Sequence, residues 1–162
     1  MVELIVIMVI VGILAVVVLP RFDLLKGFDE IGYRDKVKAT LEYARKSAVA
    51  GRRNVCVTLA SNGLTLTRDV RDPDTNVADC TYEPSAGVNR LQLPARDTAC
   101  GSSTLGNEIC RPGSVTLTST VSPLTFSPLG RPSAAATYTV TGEAPALTTY
   151  DIKVERETGY VH

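Results

Sequence analysis

The chain opens with an apolar run that has no polar face. From Leu4 to Leu19 it reads LIVIMVIVGILAVVVL, without a charged or strongly polar side chain. A run of this kind predicts a helix that is apolar on every side. A hydrocarbon core of roughly 30 Å takes about 20 such residues, with about 17 near the lower limit. Leu4 to Leu19 therefore sits at the short end of a membrane anchor, with Met1, Val2, Glu3 and Pro20 at its edges. A cleaved secretory signal would begin with Lys or Arg and end in a small-residue site such as A-x-A. Neither is present, because the run passes directly into LPRF.

Past Pro20 the pattern becomes helical with one apolar stripe. Tyr33, Val37, Leu41, Ala44 and Ala48 recur at steps of four and three, and Arg34, Asp35, Lys36, Lys38, Glu42, Arg45 and Lys46 fill the remaining surface. That spacing predicts an amphipathic helix. Gly51 offers its stop, with Lys46, Arg52 and Arg53 suited to the negative helix end. Pro20 predicts a kink or local melting, and Gly27 and Gly32 weaken the following turns. The two stretches together predict one helix of about fifty residues, roughly 75 Å long.

After Arg53 the period becomes two. NVCVTLA, Ser61-Asn62-Gly63 and LTLTRD predict a hairpin with an Asn-Gly turn signal. Val55, Val57 and Leu59 fall on one face and Cys56 on the other. From Asp69 to Pro112 the chain is rich in Pro, Gly and Asp, and only RLQLP suggests a strand. A loop of that length needs a staple to stay ordered. SVTLTSTV, LTF, ATYTVTG and YDIKVER then predict short strands. The fold class is α+β: a long N-terminal helix, membrane-spanning in its first half and amphipathic in its second, packed on a C-terminal antiparallel sheet. Residues 1–28 form the hydrophobic helix and residues 29–162 the globular domain.

Charge narrows the function classes. Seventeen basic and seventeen acidic side chains give no net charge, so no global field draws the protein to nucleic acid or anionic lipid. The tail VERETGYVH is mixed in sign, with Lys153 and Arg156 beside Asp151, Glu155 and Glu157, and Arg52-Arg53 and Arg131 are isolated. The sequence has no G-x-S-x-G, no Gly-rich phosphate loop, and no histidine before the terminal His162. Catalytic residues and a cofactor are therefore not assigned, and the chain is read as a non-enzyme.

Cys56, Cys80, Cys100 and Cys110 lie outside the apolar run, and none forms a C-x-x-C pair. Structural zinc needs closely paired ligands, so a metal is not assigned either. An even cysteine count in loop-rich sequence predicts two disulfides in an oxidising compartment. Four cysteines allow three pairings, of which loop economy favours Cys56–Cys80 with Cys100–Cys110. The domain is thus placed in the periplasm or outside the cell, against the opposite vote of Arg21 and Lys26 under the positive-inside rule.

The first twenty residues resemble the N-terminal segment of type IV pilins and pseudopilins. Glu3, Gly12-Ile13-Leu14-Ala15 and Pro20 match the family pattern in order and spacing. The remainder is more loosely similar to the GspH/FimT group of minor pilins and pseudopilins, through LEYARKSAVAGRRNVCVTL, LTFSPLGR and the closing GYV. LPRF followed by a cysteine-bearing strand is also similar to a minor pilin of the mannose-sensitive haemagglutinin (MSHA) pilus. The family's leader and first two mature residues would stand before Glu3, which sits two places early, so the sequence is read as starting late. The resemblance implies a structural subunit held in the bacterial inner membrane as a single-pass protein with a periplasmic domain. It would be processed by prepilin peptidase and then assembled with other pilin subunits into a type IV pilus or a type II secretion pseudopilus. Glu3, Gly12 and Pro20 become assembly residues. An isolated carboxylate at the bilayer centre costs about 3 kcal/mol or more, and in this family it is thought to meet the N-terminal amine of a neighbour. A DNA-binding minor pilin, FimT-like and serving DNA uptake, is the alternative.

Overall fold

A computed structural model describes residues 2–18, 23–71, 80–83, 87–101, 103, 105–143 and 147–162, and side chains are described outside 15–28. Helix α1 spans Val2–Val18 and helix α2 spans Asp23–Gly51. Pro20 and the kink expected there lie outside the described residues. Gly27 and Gly32 do not interrupt α2.

The stripe on α2 is the core face. Val37, Leu41, Ala44 and Ala48 are fully buried and Tyr33 nearly so. Helix α2 ends one residue later than its glycine suggests. Arg52 takes the left-handed conformation with φ 48°, and the N–H of Arg53 reaches back to the Ala48 carbonyl at 3.2 Å. This is a Schellman-type end made by an arginine where glycine is usual.

Eight strands follow: β1 Val55–Ala60, β2 Gly63–Asp69, β3 Val88–Arg90, β4 Glu108–Cys110, β5 Val115–Ser119, β6 Leu124–Phe126, β7 Ala136–Gly142 and β8 Thr149–Val154. They form two antiparallel sheets where the sequence suggested one. The first runs β3-β2-β1-β6 with β4 also on β2, and the second runs β5-β7-β8. Helix α2 packs across both, and Val55, Val57, Leu64, Leu66, Phe126, Tyr138, Val140 and Ile152 join its stripe in one core.

Three local expectations change. The hairpin pairs Ala60 with Gly63, so Ser61-Asn62 make the turn and Gly63 belongs to the strand. Gly63 is needed because β4 crosses it: a Cβ there would collide with the Ile109 carbonyl. RLQLP is not a strand beyond Arg90. The outer edge of β2 is shared by β3 and β4, and Asn107 fills the junction with its carbonyl and its amide each bonded to the Leu66 backbone at 2.8 Å. Cys56, on the face opposite Val55 and Val57, is buried as well, because its disulfide partner covers that face.

Candidate assembly helix and clamped loop

Every described side chain of α1, from Val2 to Leu14, is exposed. Ile5 is 61 % and Met8 67 % accessible. A cylinder of aliphatic side chains with no partner among the described residues is a surface suited to cover by lipid or by other helices. Glu3 lies in the first turn, where a carboxylate suits the positive end of the helix dipole. A Cβ added at Gly12 would touch nothing within 4 Å, so that glycine leaves a notch on the helix surface. Among the described residues no helix is long and apolar enough to cross a membrane. The 17 residues of α1 span about 26 Å at 1.5 Å per residue.

The second feature is the long loop. Disulfides join Cys56 to Cys80 and Cys100 to Cys110, with Cα atoms 5.5 and 5.1 Å apart. Between them Asp97 acts as a hub. Its Oδ1 accepts from Lys36 Nζ on α2 at 2.8 Å and from the Ala99 N–H at 3.1 Å; its Oδ2 accepts from the Cys110 N–H of β4 at 2.8 Å. Burial alone would raise the Asp97 pKa. The Lys36 ammonium and the two backbone donors outweigh it and hold the carboxyl below its ordinary value. One side chain thus fixes the loop to helix and sheet at once. Cys100, Cys110 and Glu108 lie close together, but both sulfurs are consumed in the disulfide, which leaves no thiolate to hold a metal.

A groove of about 340 Å³ runs between α2 and the segment 93–98. Lys36, Ala39 and Tyr43 form one wall, and Leu93, Ala95 and Asp97 the other. The Tyr43 hydroxyl donates to the Gln92 carbonyl at 2.7 Å and holds the upper edge. In the tail, Glu155 bonds His162 at 3.0 Å and Asp151 accepts from Thr139 at 2.7 Å. Sequence reading missed Asp97, Lys36 and Asn107. A local signal existed only for Asp97, which caps the short 3-10 turn Thr98–Cys100.

Residues 35–157 match the family model described as type II transport protein GspH. Among solved structures, the minor pseudopilin EpsH from the type 2 secretion system of Vibrio cholerae is similar at 12 % identity and TM-score 0.53, covering 79 % of this chain and 90 % of that one. The type IV minor pilin FimU of Pseudomonas aeruginosa aligns at 18 % identity and TM-score 0.49, covering 79 % of this chain and 82 % of that one. A search of curated proteins returns no match.

Proposed function

The chain belongs to the type II transport protein GspH family, and from that premise we propose how it works. It is a minor pilin or pseudopilin, a structural subunit that assembles with other pilin subunits. Before assembly the apolar N-terminal segment rests in the inner membrane with the globular domain in the periplasm. The observation that carries this reading is the apolar surface of α1, exposed on all sides and headed by a single acid. After assembly the same surface is covered by the corresponding helices of neighbours.

Glu3 sets the register. A carboxylate drawn into an apolar bundle requires a cationic partner, and removing one member of such a buried pair commonly costs about 3–5 kcal/mol. The matching amine is the N-terminus of an adjacent subunit after leader removal by prepilin peptidase. Gly12 and Pro20 serve the same assembly, Gly12 as a notch on the helix surface. The similarity of LPRF and its following strand to an MSHA minor pilin favours a pilus of that kind. The family description favours a secretion pseudopilus, and neighbouring genes for a haemagglutinin pilus or a secretin decide between them. No observation favours the DNA-uptake reading.

The test is Glu3→Ala in cells. The variant accumulates in membranes with a folded domain, and its content in sheared filaments falls at least tenfold. Normal content in filaments refutes the role given to Glu3.

A further inference from the structure

We propose that the C-terminal end of α2 is a docking face for an acidic segment of a second, different protein of the filament, with the guanidinium of Arg45 as its central carboxylate receptor. The inference rests on the filament-subunit reading above and adds one periplasmic contact to it, made to a chain of another sequence.

Cations that stand apart in the sequence meet at this end of the fold. Arg52 and Arg53 follow the last turn of α2. Arg68 on β2 pairs with Val55 at the start of β1, and its guanidinium lies beside Gly51. The turns 127–131 and 155–159, which carry Arg131 and Arg156, lie against the same helix, with Gly130 and Gly159 both facing Arg45. Among the described residues none of these arginine side chains makes a hydrogen bond or ion pair. The acids nearby are fewer, and most are engaged. Glu42 is bonded by Lys46 at 3.4 Å, Asp69 by Arg71 at 2.8 Å and Glu155 by His162 at 3.0 Å. Glu157, in the turn 155–159, is the remaining acid at this end among the described residues.

Arg45 is fixed by its stem. Gly130 and Gly159 take φ of 78° and 64°, and their missing side chains leave a slot that the stem fills. A Cβ at Gly159 would stand 3.2 Å from Arg45 Cδ and Nε, and one at Gly130 would stand 3.4 Å from Nε. Nε is buried with no hydrogen-bond partner among the described residues, while the terminal nitrogens are not buried. A buried donor without a partner is rare, and this one belongs to a cation whose open fork matches a carboxylate. Holding the stem in place reduces the freedom lost when the fork binds. Arg52 adds a second cation against local preference, since its left-handed position, at φ 48°, is one where glycine is usual.

Apolar surface surrounds the fork. Val49 is 47 %, Tyr160 57 % and Leu129 82 % exposed, the last carried by a turn closed through bonds between Ser127 and both Gly130 and Arg131. Arginine and tyrosine are enriched at protein interfaces, and opposite charge across one steers encounter and fixes register. A nucleic acid is disfavoured by Glu155 and Glu157, which interrupt the face, and by a chain without net charge. A membrane surface is disfavoured by position: Gly51 lies about 42 Å along α2 from Asp23, at the end away from the apolar segment.

The test places the photo-crosslinking residue p-benzoylphenylalanine in place of Leu129 in the full chain, in cells that assemble filaments. The expected product links this chain to a different filament protein, at a peptide with at least two Asp or Glu within five residues of the link. Arg45→Gln combined with Arg53→Gln lowers its yield at least tenfold. Arg52→Gly lowers it at least threefold while the domain keeps or raises its thermal midpoint, so that loss of the link is not loss of the fold. A link to nucleic acid, to a second copy of this chain or to a segment without acids overturns the inference, as does a yield indifferent to the arginine changes. Filaments that contain the labelled chain but give no product overturn it too, and leave the Glu3 reading standing. An unsubstituted chain that never enters filaments overturns the proposed function and this inference with it.

Discussion

Replacing Asp97 by asparagine keeps the shape of the hub and removes its charge. The amide oxygen still accepts from Ala99, but the amide nitrogen now faces the Cys110 N–H, donor against donor, and Lys36 loses its counter-ion. A hydrogen bond to a charged group contributes about 1.5–3 kcal/mol. The Lys36 pair adds little, since the Lys36 side chain is 39 % accessible and exposed pairs contribute about 0–1 kcal/mol. The expected loss is about 2–4 kcal/mol at pH 7, or roughly a 30- to 1,000-fold shift in the unfolding equilibrium. Urea unfolding of residues 29–162, which contain every core residue among those described, reads it as a lower midpoint at unchanged slope.

The same residue sets a pH dependence with a definite sign. The Asp97 carboxyl is held below the ordinary carboxylate range in the fold. A depressed carboxyl contributes stability that is fully present above the unfolded pKa and disappears as pH falls through the folded pKa. The difference between wild type and Asp97→Asn is therefore constant from neutral pH down to about pH 5 and shrinks below about pH 4. Equal midpoints at pH 7, or a difference that persists unchanged into strong acid, refute the assignment of Asp97 as a charged hub.

Leu41→Asp, at a fully buried position of the stripe, combines a lost side chain worth about 2–5 kcal/mol with an unpaired buried charge; circular dichroism at 25 °C should show an unfolded domain. Arg52→Gly relieves a left-handed arginine and should raise stability by about 1 kcal/mol in the same urea assay. Tyr33→Phe removes a buried hydroxyl with no hydrogen-bond partner among the described residues, and the midpoint should stay or rise. Thiol titration of the denatured, unreduced domain should find no reactive cysteine, as both pairs are closed.

The elements legible in the sequence were those whose pattern is local. The α2 stripe emerges from a 3.6 period and needs no knowledge of what it packs against, so all five positions fell on the core. Strands β1, β2, β7 and β8 announce themselves by alternation over six or seven residues. The division into two sheets does not, because β5 and β6 are separated by only four residues yet pair with β7 and β1 respectively. Strand β4 is three residues long, too short for a period, and exists only because β2 offers it an edge. The Asp97 hub joins residues 36, 97 and 110, a convergence made by the fold that no spacing along the chain reveals.

The loop clamp and the apolar helix solve opposite problems. The described side chains of α1 are all exposed and include a single acid. The described part of the long loop is held by two disulfides, a three-way carboxylate and the Asn107 bridge. None of these fixings touches α1, and the five stripe residues of α2 supply the core on which both sheets rest. On the reading proposed above, α1 can take new neighbours without disturbing the domain that follows. Substitutions such as Glu3→Ala and Asp97→Asn should therefore separate cleanly, the first changing filament content at constant domain stability and the second changing domain stability in a fragment that has no α1.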